Sequence, residues 1–302
     1  MYVITGATGN IGRAIAESLL TRGEAVRVIG RDAAKLKALA DLGAEVRAGS
    51  LADAAFLREA FAGATAVFVM TPPAVVAENV RARASEVGTA IAGALAANKV
   101  SHVVHLSSLG GDLSEGTGPV LGAHDQEERL ARIEGLHVLH LRPTYFMENL
   151  LGNIGLIQSA GINGGPLRAD LSFPLIATRD IAAAAVEELV GREFTGSSHR
   201  VLLGAEDFTM AEITRRIGRA IGRPELAYVQ FPYEQAVEAM VGMGLSRDAA
   251  QGLVDLNRTM NEERGIVAMP RDARSATPTT LDQFIDSVFV PAFRGGQTAA
   301  AS

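Results

Sequence analysis

Hydrophobic positions in the first half of the chain follow two alternating patterns. Short continuous apolar runs occur at Tyr2 to Thr5, Ala25 to Ile29, Ala44 to Ala48, Ala66 to Met70, Val103 to Ser108 and His137 to Pro143. Runs of this kind predict strands buried on both faces of a parallel sheet. Between them the apolar residues recur at helical spacing: Ile11, Ala14, Ile15 and Leu19 first, then Ala33 to Leu42, Ala54 to Phe61, Ala77 to Asn98 and Ala123 to Ile133. This alternation predicts an α/β protein with a Rossmann-type, doubly wound parallel sheet and helices on both faces. After Arg142 the regularity weakens. Phe173 to Asp180 is strand-like and runs into a helix over Ile181 to Val190, and Arg200 to Leu203 reads as one more strand. From Thr209 the spacing is mostly helical, over Met210–Ile221, Tyr233–Met243, Arg247–Asn261 and Thr280–Phe293, with Thr209 and Glu212 forming a capping box. The expected organisation is a nucleotide domain over 1–150, a small, mostly helical C-terminal lobe over 151–294 with some segments returning to the sheet, and a disordered tail over 295–302.

The first strand gives way to Gly6-Ala-Thr8-Gly9-Asn10-Ile11-Gly12, with glycines three apart, and then to a helix. A strand, a glycine turn and a helix N-terminus together form a pyrophosphate cradle. The first glycine permits the tight turn, the second lets the backbone approach the ligand, and the third lets the helix pack closely on the strand. Free N–H groups and the positive end of the helix dipole face the phosphates. The same fold brings the end of the second strand to the adenosine ribose, about twenty residues past the glycines. Gly30-Arg31-Asp32 stands there. The Arg31 guanidinium suits the 2′-phosphate of NADP. Asp32 reads as the N-cap of the next helix, and as an acid for the free 2′-hydroxyl it keeps NAD(H) possible. Arg13 is a candidate second phosphate contact. Ser50 and Leu51, after the third strand, are candidates for the adenine side, and Thr71-Pro72-Pro73 ends the fourth strand where ligands bind.

Composition narrows the function. With a net charge of −6 and no long basic run, direct nucleic-acid binding is not expected. The chain has no cysteine, which removes disulfides, thiolate nucleophiles and cysteine-ligated metals. His102, His105, His137 and His140 lie on or beside strands without metal-ligand spacing and read as structural. No apolar run approaches a membrane span, and a strand beginning at Tyr2 leaves no room for a cleaved signal, so a cytoplasmic protein is expected. Met240, Met243, Leu253 and Met260 form an adaptable apolar stripe, read either as core or as pocket lining.

The glycine motif in Thr5-Gly-Ala-Thr-Gly-Asn-Ile-Gly12 resembles the atypical short-chain dehydrogenase/reductase families. Ser107-Ser108, Leu141-Arg-Pro143, Tyr145-Phe-Met-Glu-Asn149 and Thr178-Arg-Asp-Ile-Ala182 make it similar to the NmrA-like branch, which includes NADPH-dependent quinone and triphenylmethane dye reductases. The resemblance covers most of Met1 to Val190. It implies NADP(H) in the Rossmann domain, a small C-terminal lobe, a cleft between the two and a small-molecule substrate; separately, a homodimer is one possible assembly. Where most short-chain dehydrogenases carry Tyr-x-x-x-Lys, this chain reads Val120-Leu-Gly-Ala-His124; if Glu128 matches the family's helical glutamate, His124 takes the lysine slot and Val120 the tyrosine slot. Ordinary alcohol dehydrogenation by that pair is therefore not expected, whereas hydride transfer to an activated acceptor does not need it. By the resemblance Ser107 is a candidate contact to nicotinamide or substrate. His124 is a candidate for the ribose or for proton donation, and Tyr145 for packing or proton donation, with Pro143 beside the nicotinamide end. The leading expectation is an NADPH-dependent reductase of a small conjugated or quinone-like acceptor. The alternatives are a non-catalytic NADP(H)-sensing regulator and a biosynthetic tailoring reductase or isomerase.

Overall fold

The computed structural model describes residues 1–263 and 269–300. Its regular half comprises β1 (Tyr2–Ile4), α1 (Asn10–Thr21), β2 (Val26–Gly30), α2 (Ala33–Asp41), β3 (Glu45–Ala48) and α3 (Ala54–Ala60). It continues through β4 (Ala66–Met70), α4 (Val80–Ala97), β5 (His102–Leu106), α5 (Val120–Ala131) and β6 (His137–Pro143). Beyond lie β7 (Tyr145–Phe146), a 3-10 segment (Met147–Asn153), α6 (Ile154–Ala160), β8 (Asn163–Gly165), β9 (Ser172–Ile176), α7 (Thr178–Gly191) and β10 (Ser197–Leu202). The chain ends with β11 (Asp207–Thr209), α8 (Met210–Ala220), β12 (Tyr228–Gln230), α9 (Tyr233–Gly242), α10 (Arg247–Asn261), α11 (Leu281–Phe284), a π turn (Ile285–Phe289) and α12 (Val290–Ala300).

Seven parallel strands form the main sheet in the order β10-β6-β5-β4-β1-β2-β3. The chain winds outward from β1 to β3 and then returns to β4 on the other side of β1, so the topological switch point lies between β1 and β4. Thr5 holds the two strands together there. Its N–H and its hydroxyl both donate to the Phe68 carbonyl at 3.1 Å, and its Oγ1 accepts from Met70 N–H at 3.2 Å. The central strands β1 and β4 are apolar on both sides, as a sheet covered on both faces requires, whereas the edge strands β3 and β10 carry polar and charged residues. Ile4, Val28, Phe68, Val104 and Leu139 pack with α1, α2 and α7, while Val3, Ile29, Val67, Val103 and Val138 pack with α3 and α4. On β5 and β6 the register sets His102 opposite His137 and His105 opposite His140.

Two late segments rejoin this half, α7 against α1 and β10 beside β6. The remaining lobe has its own core, centred on Phe173, Phe208, Ile213, Phe284 and Phe289. It contains two small sheets, β11-β9-β7 and β12-β8, in which every strand except the five-residue β9 has only two or three residues, too few to leave a period in the sequence. The helix expected over Thr280–Phe293 is divided by the π turn. At the tail, the backbone continues as α12 to Ala300, and residues 301–302 lie outside the described residues. Among the described residues, no helix is long and apolar enough to cross a membrane.

Candidate functional site

The glycine turn has the geometry its sequence implies. Gly6 has a φ of 65°, a conformation that suits glycine. A Cβ on Gly12 would lie 2.5 Å from the Gly6 carbonyl oxygen and 2.9 Å from that of Thr5, so only glycine lets α1 sit this close to β1. Gly9 is the N-cap of α1 and supplies no side chain to the helix N–H groups, and the first turn carries no acid. Thr8, Gly9 and Asn10 are exposed at this end, whereas Ile11 is buried in the core beneath. These backbone donors are positioned for an anion. The residues present therefore fit a dinucleotide pyrophosphate.

The adenosine end lies at the carboxyl ends of β2 and β3. Thr8 Cγ2 would stand 2.9 Å from a Cβ on Gly30, so its methyl lies directly over that glycine. Arg31 is exposed and has no ion-pair partner among the described residues. Asp32 caps α2, accepting from Ala34 N–H at 2.9 Å. Arg13 is paired within its own helix to Glu17 at 2.8 Å. Ser50 Oγ accepts from Ala52 N–H at 3.2 Å, and Leu51 is a buried member of the α3–α4 face.

At the other end, Thr71, Pro72 and Pro73 begin an irregular segment between β4 and α4. The C-terminal lobe is fastened to it: Ser246 N–H donates to the Val75 carbonyl at 2.8 Å, and Asp248 accepts from Val80 N–H at 2.8 Å. The same helix α10 presses on the loop between β5 and α5. Thr259 Oγ1 donates to the Gly116 carbonyl at 2.6 Å, and a Cβ on Gly118 would collide with the Gly252 carbonyl. Pro143 is buried at the end of β6, its carbonyl accepting from Leu109 N–H at 2.9 Å. Ser107 Oγ donates to Glu127 Oε1 at 2.5 Å, and Arg142 grips the same carboxylate through Nε and Nη2 at 3.0 and 2.6 Å. The inward carboxylate on α5 is thus Glu127; Glu128 is exposed beside Arg132. His124, one turn earlier, donates from Nδ1 to the Gly111 carbonyl at 2.9 Å, which leaves Nε2 as its second functional atom. Val120, in the tyrosine slot, is buried.

Tyr145 lies on β7 with its ring edge-on to Phe173 at 5.4 Å between centroids. Its hydroxyl has no hydrogen-bond partner among the described residues, and burial pushes its pKa up to about 12. Tyr228, whose hydroxyl donates to the Leu167 carbonyl, is raised as well, by burial first and then by Tyr145. Two motif segments turn out to hold the frame. Glu148 accepts from Thr178 N–H and Oγ1 at the start of α7, and Asp180 accepts from Thr279 N–H and Oγ1. Among the described residues no group of three or more His, Asp or Glu could hold a metal ion.

A switch-point cradle, an arginine after β2 without an ion-pair partner among the described residues, and a separate lobe stitched to the segment after β4 define a dinucleotide-binding Rossmann protein. The sequence matches the NmrA-like family over residues 2–285, and the chain belongs to that family. It is 31% identical to the NAD(P)H azoreductase of Xenophilus azovorans over 258 residues, 85% of this chain and 86% of that protein. It is 32% identical to the (4-alkanoyl-5-oxo-2,5-dihydrofuran-3-yl)methyl phosphate reductase of Streptomyces griseus over 224 residues, 74% of this chain and 75% of that protein. The NADPH-dependent quinone oxidoreductase QOR2 of Escherichia coli, solved with NADPH, shares the fold with a TM-score of 0.80 at 24% identity, over 96% of this chain and 100% of that one.

Proposed function

We propose that this protein is an NADPH-dependent reductase that delivers hydride to a small conjugated or quinone-like acceptor without a Tyr-x-x-x-Lys pair. The observation that carries the reading is the division of labour after β2, where Asp32 is committed to capping α2 and Arg31 is left unpaired for a 2′-phosphate. The relatives named as azoreductase and furanone phosphate reductase support an acceptor of conjugated type.

When bound, the dinucleotide supplies the hydride. The chain supplies position and a proton. The free backbone N–H groups of the first turn of α1 would hold the pyrophosphate, and His124, fixed by its bond to Gly111, would offer Nε2 to the ribose hydroxyls. The lobe stitched to Val75 and Val80 would cover the acceptor. The Tyr145 hydroxyl, kept as the neutral phenol, would donate a proton to the acceptor heteroatom and regain it from solvent. One hydride and one proton convert a quinone to a hydroquinone, or an azo group to a hydrazine. The test is a calorimetric titration with NADPH followed by addition of quinones, azo dyes and enones while NADPH absorbance is followed. Saturable binding with oxidation by at least one acceptor class is expected. Tight binding with no oxidation would replace the enzyme by an NADP(H) sensor.

A further inference from the structure

We infer that Glu127 is a positioning residue that fixes Ser107 as a hydrogen-bond acceptor for the carboxamide N–H of nicotinamide, an inference that rests on the cofactor reading above. Ser107 follows β5 and is held beside β6 by its own N–H, which donates to the Leu141 carbonyl at 2.8 Å. Glu127 is only 8% exposed, and besides Ser107 its carboxylate meets the Nε and Nη2 donors of Arg142. With Arg142 paired on both oxygens, the Ser107 contact runs from hydroxyl to carboxylate. A serine has one proton to give and two lone pairs. Once the proton is committed to Glu127, only acceptor capacity is left.

The loop after Ser107 keeps that arrangement closed. A Cβ on Gly111 would fall 2.7 Å from Glu127 Oε1 and 2.8 Å from Ser107 Oγ, so the backbone lies directly against both. Arg142 reaches on to Asp112 at 3.4 Å, and His124 holds the Gly111 carbonyl. The hydroxyl therefore cannot swing to donate elsewhere without breaking a charge-assisted bond.

An acceptor-only serine selects its ligand by chemistry. Quinones, azo groups and enones present lone pairs, which Ser107 cannot satisfy. The carboxamide of nicotinamide presents N–H donors, and with its orientation fixed one ring face is turned to the acceptor. The ribose hydroxyls fall instead to His124, three residues before Glu127 on the same helix. Ser107 is thus excluded as the proton donor, a role left to Tyr145.

The acetylpyridine analogue of NADP+ keeps the carbonyl but lacks the N–H donors, and it separates the readings. By calorimetry, wild-type protein should prefer NADP+ over the analogue by about three- to tenfold, the usual worth of one hydrogen bond. Ser107→Ala should bring the preference close to unity, and Ser107→Thr, which keeps the hydroxyl, should retain it. Glu127→Gln should reduce the preference in the Ser107 background and change nothing further in Ser107→Ala, because the two act as one unit. Thermal melts identify any variant that fails to fold, and if Glu127→Gln does so the two serine variants still decide. An undiminished preference in folded Ser107→Ala overturns the inference while leaving the cofactor reading intact. If wild-type protein binds neither dinucleotide, the cofactor reading fails and this inference with it.

Discussion

The two ends of the proposed cleft are built on different principles. At the proposed pyrophosphate end, recognition would come from backbone: Gly6, Gly9 and Gly12 clear space, and the N–H groups of α1 are the donors. At the proposed acceptor end, recognition would come from side chains supplied by separate elements, Ser107 after β5, His124 on α5 and Tyr145 on β7. A backbone site depends on a few consecutive residues and tolerates almost no change in them. A side-chain site depends on long-range packing and can be altered one group at a time.

The contrast is tested most severely at Gly12. A methyl there meets the backbone oxygens of Gly6 and Thr5, which cannot give way as a flexible side chain would. We expect Gly12→Ala to weaken NADPH binding by roughly a hundredfold or more and to lower the melting temperature, since overpacking of this kind costs about 1–3 kcal/mol and also deforms the cradle. Near-normal NADPH affinity in this variant would mean that the turn does not bind the dinucleotide. The next effect is chemical rather than steric. Arg31→Ala should weaken NADPH by about ten- to a hundredfold and leave NADH nearly untouched, because a hydrogen bond to a charged group is worth about 1.5–3 kcal/mol. Equal losses for both cofactors would remove the 2′-phosphate assignment.

The same difference explains which parts were legible in the sequence. The glycine spacing, the six strands up to Pro143 and the capping role of Asp32 are local, and the chain states them directly. The network around Ser107 is not local. Glu127 and Glu128 are adjacent, and only the rotation of α5 about its axis turns the first to Arg142 and the second to solvent; the sparse apolar pattern of that helix does not define the rotation. The segments around Glu148 and Asp180 are visible as motifs, but their contacts join residues 30 and 99 positions apart, which the sequence does not bring together. The boundary drawn near residue 150 has the same origin, since α7 and β10 return to the first sheet through space.

On the acceptor side a single group should be separable from binding. Tyr145→Phe keeps the ring against Phe173 and removes only the hydroxyl. A positioned general acid is ordinarily worth a hundredfold or more. A reduced quinone can also take its proton from water, so we expect kcat to fall by about tenfold with NADPH affinity unchanged. In wild-type protein no basic limb from Tyr145 should appear below its pKa of about 12. A Tyr145→Phe variant with unaltered kcat across quinones and azo dyes would reduce the residue to packing.

The smallest effect concerns the sheet beneath the site. All six histidines lie in or beside the main sheet and α5, and the lobe core has none. His105 and His140 are buried and share one hydrogen bond between their Nδ1 atoms at 3.0 Å, which needs a single proton between them. Because His105 Nε2 has no partner among the described residues, the economical arrangement places the shared proton on His105 Nδ1, while His140 Nε2–H donates to Ser197 Oγ at 3.3 Å. Burial lowers the pKa of His140 from 6.5 to about 4, and desolvation lowers His105 well below its ordinary value. The sign follows from linkage: between these values the unfolded chain binds protons that the native sheet refuses, so stability is full above pH 6.5 and falls as pH drops toward 4. His140 alone should cost about 1 kcal/mol near pH 5.5. Hydrogen exchange at that pH should loosen β5 and β6 before the lobe, and replacing both residues (His105→Leu with His140→Leu) should flatten the acid limb of the melting curve. If the double variant kept the wild-type limb, or the lobe opened first, the acid sensitivity would belong to carboxylates elsewhere. The division between a sheet that carries the cofactor and a lobe that covers it would then not extend to stability.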